Sequence, residues 1–416
     1  MITLTQSVLT FTCATLLTAV LPCSTVVPWK DTKSGSESKY TEMLAAPQEL
    51  SRVVGFALID GRILINVRMN GQGPFRMIFD SGAAAVVSPE VARILKLRTS
   101  SSYEGSGTGA SPISVSSASV EHVRIGPLDL TDQRFDVVSM DDMPPVFGSI
   151  RIDGIIGRPV FGRATVQVDY DKRQLTFFDP QSFAPLPSET PIPFIRVREV
   201  PLIEGSLDGQ RGRFGVDLGA RSSLILTAFF VEESGIGNRY HASPEMIAGW
   251  GLGGPIHARL ARAGKFQFGK FEMDSPVVRL STQKTGLLGR SDTAGLIGAD
   301  ILRQFTITFD DKHGLIYFRP SRRFGEPMNF DKSGMWLVQD GKEFSVMEVT
   351  PGGAADKAQL RTGDRIIGVD GTRTETLLLP SLRERWAQAV DGTRVVLQIK
   401  HDGAVRTVSL VLFQLI

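Results

Sequence analysis

Asp80-Ser81-Gly82-Ala83 and Asp217-Leu218-Gly219-Ala220 stand 137 residues apart, each at the end of a short apolar run. The chain repeats itself around them. Downstream, Ile155-Ile156-Gly157 is matched by Leu296-Ile297-Gly298, 141 residues later. Val166–Pro180 is then matched by Thr306–Pro320, with Asp171-Lys172 against Asp311-Lys312, Leu175 against Leu315, Phe178 against Phe318 and Pro180 against Pro320, all 140 apart. The turn Asn70-Gly71-Gln72-Gly73 matches Asp208-Gly209-Gln210-Arg211 at 138, and Gly107-Thr108-Gly109 matches Gly251-Leu252-Gly253 at 144. These landmarks recur in one order with a drift of a few residues, as loop insertions produce. The pattern reads as two copies of one β unit of about 140 residues.

Each copy has a simple plan. Val54 to Ile59 and Arg62 to Met69 alternate around Asp60-Gly61, which predicts a hairpin. Arg76 to Phe79 predicts a short apolar strand ending at Asp80. Ser88-Pro89-Glu90 then caps a helix running to about Leu95, with proline in the first turn. In the second copy Thr227 leads into Ala228–Glu233. The proline-rich stretch from Asp179 to Pro193 joins the copies.

Composition sets outer limits. A length of 416 residues allows about two to four domains. The net charge of +2 gives no basic field for nucleic acid. With 42% hydrophobic and 22% charged residues the chain is globular rather than disordered, and 42 glycines fit a turn-rich β fold. The only cysteines are Cys13 and Cys23, inside the N-terminal apolar stretch. A body without cysteine has no disulfide framework, no thiolate metal site and no thiol nucleophile. The histidines His122, His241, His257, His313 and His401 are scattered, so no metal and no cofactor is expected. Gly249-Trp250-Gly251-Leu252-Gly253-Gly254 fits the wording of a dinucleotide fingerprint. Pro255 follows at once, however, and no strand–helix alternation surrounds it.

Residues 1–29 carry no charge, and Val8–Leu21 forms a short apolar core followed by Pro22 and small residues. This reads as a secretory signal, with an uncleaved anchor or a buried helix as alternatives. Leu21-Pro22-Cys23-Ser24 has a faint likeness to a lipidation site. Residues 30–50 are a polar tether. The expectation is an exported, periplasmic or otherwise extracytoplasmic protein whose contact with membrane is limited to this segment.

Across roughly residues 51–320 the sequence resembles the pepsin/retropepsin group of aspartic proteases. The resemblance rests on the duplicated Asp-x-Gly-Ala, each followed by an apolar-apolar-Gly strand. It implies a mainly β, two-lobed acid protease fold with lobes at 51–182 and 183–322. It makes Asp80 and Asp217 a catalytic pair meeting across a pseudo-two-fold axis, with Ser81, Gly82 and Gly219 supporting them. Two carboxyls a few ångströms apart share one proton, and one activates a water while the other protonates the scissile amide oxygen. Gly107-Thr108-Gly109 and Gly251-Leu252-Gly253 stand where such units carry mobile loops over substrate; an ordinary glycine turn is the other reading. With both halves in one chain, a monomer suffices. Leu218 departs from the family, which has Thr or Ser there to hydrogen-bond across the axis. The alternatives are therefore an active enzyme with an asymmetric pair, a weak one, and an inactive peptide-binding scaffold; for Asp217 itself the other reading is a turn carboxylate satisfying backbone N–H groups.

After Arg319–Lys332 the character changes, and residues 323–416 resemble a bacterial PDZ domain. The resemblance rests on Val349-Thr350-Pro351-Gly352, Ala354-Ala355, Thr362–Ile367 and Val369-Asp370-Gly371. Helix is expected from Leu382 to Ala389 and closing strands at Arg394–Lys400 and Ala404–Leu412. The resemblance implies capture of an extended peptide, or a protein's C-terminal peptide, at a sheet edge, with the carboxylate loop near Gly334-Met335-Trp336-Leu337. A packing module without a ligand is the alternative.

Overall fold

The computed structural model describes residues 52–140, 147–148 and 150–416, so the N-terminal apolar segment and the tether lie outside the described residues. Alternation of buried and exposed side chains builds strands through most of the rest. In the first hairpin the turn residues Asp60 and Gly61 both take positive φ, 51° and 77°, the geometry a two-residue hairpin turn requires. The strand expected from Val54 to Ile59 is broken at Phe56. Val53–Gly55 pairs with Gln174–Phe178, whereas Ala57–Ile59 pairs with Arg62–Met69. The two pieces belong to different sheets, and buried Phe56 marks the crossing, its ring edge-on to Tyr170.

The repeated hairpins meet. Thr165–Asp169 and Gln174–Phe178 form one, Phe305–Asp310 and Leu315–Pro320 the other, and they join through antiparallel pairs such as Val166 with Phe309 and Val168 with Ile307. Thr190–Val197 extends this sheet from Leu315–Pro320 into the second lobe. The lobes therefore share one continuous sheet. Its apolar side chains, among them Val166, Val168, Ile307, Phe309 and Phe318, lie in a core common to both lobes.

The helices begin as the sequence predicts. Ser88 accepts from the Val91 amide at the start of Pro89–Ile94, and Thr227 from the Phe230 amide at the start of Ala228–Glu233. The C-terminal domain is a sheet in the order Met335–Asp340, Glu343–Val349, Arg365–Val369, Arg394–His401 and Ala404–Val411. The helix Leu379–Gln388 begins three residues earlier than expected, with Pro380 in its first turn. The domain has its own core around Phe344, Ile366, Trp386 and Leu397. Among the described residues no helix is long and apolar enough to cross a membrane.

Candidate active site

In both lobes a parallel strand pair carries the acidic loop. Phe79 lies beside Ile156, and the Asp80 amide donates to Ile156 O at 3.1 Å. Val216 lies beside Ile297, and the Asp217 amide donates to Ile297 O at 3.0 Å. The glycine closing each apolar-apolar-Gly strand is a steric necessity. A Cβ at Gly157 would fall 2.1 Å from Asp80 O, and one at Gly298 2.4 Å from Ser222 O. The two Asp loops thus wrap over glycine backbone that leaves them room.

Within the loops the two halves match. The Gly82 amide donates to Asp80 Oδ1 at 2.8 Å, and the Gly219 amide to Asp217 Oδ1 at 2.8 Å. Both aspartates are fully buried. The two carboxyls lie close enough to influence each other's ionisation. Neither Oδ2 has a hydrogen-bond partner among the described residues. Burial drives both carboxyls above the ordinary value of 3.8, and the Asp217 charge drives Asp80 further. The glycine amides and the buried Arg62 guanidinium oppose this only in part. Two acids so placed resist losing both protons.

Cross-lobe contacts set the geometry. Ser81 Oγ donates to Val216 O at 2.7 Å and accepts from the Leu218 amide at 3.1 Å. Leu218 is buried in the apolar core and returns no such bond. Charged side chains that the sequence reading passed over lie alongside. Fully buried Arg62, in the first lobe, donates through Nε to Gly219 O at 3.1 Å and pairs with Asp60 at 2.6 Å. Arg221 of the second lobe and Arg383 of the C-terminal domain also face Asp60, at 3.4 and 3.7 Å, and with Arg62 they hold its carboxyl below the usual range despite its burial. On the opposite side Arg196 grips Asp311 with two bonds of 2.7 and 2.8 Å and donates to Ser81 O at 3.1 Å. The duplicated Asp171/Asp311 was the one sequence signal near this network.

The two glycine-rich tips touch. The Gly109 amide donates to Leu252 O at 2.8 Å and the Ser111 amide to Gly253 O at 2.9 Å. Their glycines permit the approach, since a Cβ at Gly251 would overlap Thr108 Oγ1 and one at Gly107 would overlap Leu252 O. Gln283 Nε2 donates to Thr108 O at 3.0 Å, and the Leu287 amide to Gly107 O at 3.3 Å. Beside the first tip a cavity of about 920 Å³ opens between Ala84, Ala85, Tyr103, Arg134, Asp136 and Gly286. Asp136, nearly buried, accepts from Ser117 Oγ at 3.1 Å, and burial raises its carboxyl.

Comparison with known proteins finds matches in both lobes and in the C-terminal domain. Residues 65–160 and 203–300 each match the family model described as aspartyl protease, and residues 323–412 match that of the PDZ domain. The chain contains two retropepsin-like aspartyl-protease segments and a C-terminal PDZ domain. No curated protein matches it. Among solved structures, a photosystem II D1 C-terminal processing protease is 28% identical over 23% of this chain and 26% of that one, with a TM-score of 0.20. The match thus spans about a quarter of that protein's length.

The PDZ domain is packed against the protease segments by the very strand expected to hold a peptide. Gly334, with φ of 68°, sits against Gly353, and Met335 and Leu337 turn into the PDZ core. Trp336 and Val338, alternating with them, join a cluster containing Ile247, Trp250 and Leu252 of the second glycine-tipped hairpin. Arg383 Nη2 donates to Leu337 O at 2.6 Å, filling an acceptor on the strand edge that an added peptide strand would use. Glu348 Oε1 accepts from the Ile247 amide at 2.7 Å. Of the residues Gly334–Leu337, Trp336 thus packs in a cluster with the second glycine-tipped hairpin, while Met335 and Leu337 fill the PDZ core.

Proposed function

We propose that this chain is an aspartic endopeptidase in which Asp80 and Asp217 share a proton and activate one water between them. The observation that carries this reading is the closeness of two buried carboxyls, each fixed through Oδ1 by a glycine amide and with no hydrogen-bond partner at Oδ2 among the described residues. The ionised carboxyl takes a proton from the water as its oxygen bonds to the scissile carbonyl carbon. The protonated carboxyl gives its proton to the carbonyl oxygen. The resulting diol collapses as a proton passes to the amide nitrogen, the C–N bond breaks, and the pair returns to its one-proton state. Substrate enters once the touching tips have parted. The cavity beside Ala84 and Ala85 offers room for a side chain of an extended peptide. The uncharged N-terminal segment supports an exported enzyme, and both acids on one chain support an active monomer.

The test is incubation of the mature protein with a peptide library between about pH 3 and 7, the range in which a shared-proton pair works. Cleavage at internal peptide bonds is expected. Retained peptide binding with no turnover at any pH would instead make the chain a binding scaffold, the reading that Leu218 favours.

A further inference from the structure

The missing hydroxyl at position 218 leaves the first Asp loop without the tie that Ser81 gives the second. Ser81 bonds both Val216 O and the Leu218 amide, so the second loop is held twice from the first lobe. Arg62 adds a third tie to the same loop at Gly219 O. The reverse direction, from the second lobe to the loop of Asp80, has no hydroxyl. What reaches across instead is Arg196. Its Nη1 donates to Ser81 O at 3.1 Å and also to Glu199 O at 2.5 Å. Its Nε and Nη2 are spent on Asp311 in a two-bond fork. Arg158 of the first lobe pairs with the same Asp311 at 2.9 Å, so the carboxylate is itself held from both lobes. The rings of Phe161 and Phe194 lie 5.8 and 5.5 Å from the guanidinium and confine it. A fork held by a carboxylate and flanked by rings loses little freedom in making one more bond.

We propose that Arg196, aimed by Asp311, is a positioning residue that holds the Asp80 loop in register with the Asp217 loop, in place of the cross-axis hydroxyl that Leu218 lacks. Arg62 and Arg196 then form a reciprocal pair. Each springs from the first hairpin of one lobe, and each donates to a loop carbonyl of the other. The device is one residue out of register between the lobes, Ser81 O on one side and Gly219 O on the other. Arg196 touches neither carboxyl of the pair, so it acts through the loop alone.

The kinetic arm of this inference rests on the protease reading above, and a second arm does not. Arg196→Gln is expected to lower kcat by about 10- to 100-fold with KM little changed, since misplacement of a reacting group by an ångström has that scale of effect. Leu218→Thr alone is expected to change kcat by less than about threefold, and added to Arg196→Gln it is expected to recover most of the loss. Its hydroxyl would donate to Phe79 O as Ser81 does to Val216 O. The independent arm is hydrogen exchange at the Gly82 amide, whose acceptor is Asp80 Oδ1. Exchange should quicken in Arg196→Gln, recover in the double variant, and stay unchanged at Gly219. Arg196→Lys, which keeps the charge and loses the fork, should behave like the glutamine variant and guards against a simple folding failure. If the wild type cleaves no peptide yet Gly82 shows this pattern, the clamp stands and the protease reading falls. If Gly82 exchange in Arg196→Gln equals that of wild type, or if Leu218→Thr gives no recovery, the clamp is overturned.

Discussion

Asp80→Asn and Asp217→Asn are each expected to reduce peptide hydrolysis by about four orders of magnitude, because neither half of the pair has a substitute. An asparagine keeps the shape and the glycine-amide contact but can neither take the proton from water nor hold the shared one. The same variants should become more resistant to unfolding near neutral pH. Both carboxyls are pushed above the ordinary value of 3.8 because burial disfavours the charge, and the neighbouring Asp217 charge pushes Asp80 further. Between the unfolded and the folded ionisation the native state binds more protons than the unfolded one. The pair's contribution to stability is therefore greatest in acid and falls as pH rises from about 4 toward and past neutrality. Removing one acid removes its share of that loss, so the melting temperature of either variant should depend less on pH than that of wild type. Thermal melts across this range, set beside activity, check both halves. A variant that keeps hydrolysis, or melts with the wild-type pH slope, contradicts the assignment.

Trp336→Ala is expected to cost about 3–5 kcal/mol of stability, the range for truncating a buried aromatic side chain. The ring lies in the apolar cluster between the PDZ domain and the second glycine-tipped hairpin, and the guanidinium groups of Arg383 and Arg221 lie 5.1 and 5.8 Å from it. Its loss opens a void in the cluster that holds Trp250 and Leu252 and should loosen the hairpin tip that Gly109 and Ser111 hold. Denaturant melts report the cost, and faster exchange at the Gly109 and Ser111 amides reports the loosening. Trp336→Phe should restore most of both. Wild-type exchange at these amides in Trp336→Ala would show that the PDZ domain does not brace the tips.

Much of this architecture is written locally. The recurrence at about 140 residues announces the duplication, since two hairpins with matching turns and apolar alternation must find equivalent places. Asp60-Gly61 sets a turn, Ser88 and Thr227 set helix starts, and Gly157 and Gly298 mark backbone that another loop crosses. What stayed hidden is carried by contacts between distant residues. Arg62 reaches Gly219 across 157 positions and Arg196 reaches Ser81 across 115. A lone arginine in a strand carries no sign of whether it faces water or a buried carbonyl. The break at Phe56 was equally silent, because an alternating run reads as one strand whichever sheet each end joins. The expected peptide groove at Gly334–Leu337 was legible as a strand. Its coverage was not, because Trp336 reads alike whether it meets a ligand or a neighbouring domain.

The most direct test of the central claim is a carbon-13 titration of the Asp80 and Asp217 carboxyls in the full chain, with Asp80→Asn as the control. One proton should stay with the pair well above the ordinary carboxylate range, and the two signals should move together, while in the control Asp217 should titrate lower and alone. Two separate ionisations near 3.8, unchanged in the control, would mean that these acids share nothing and that no water is activated between them.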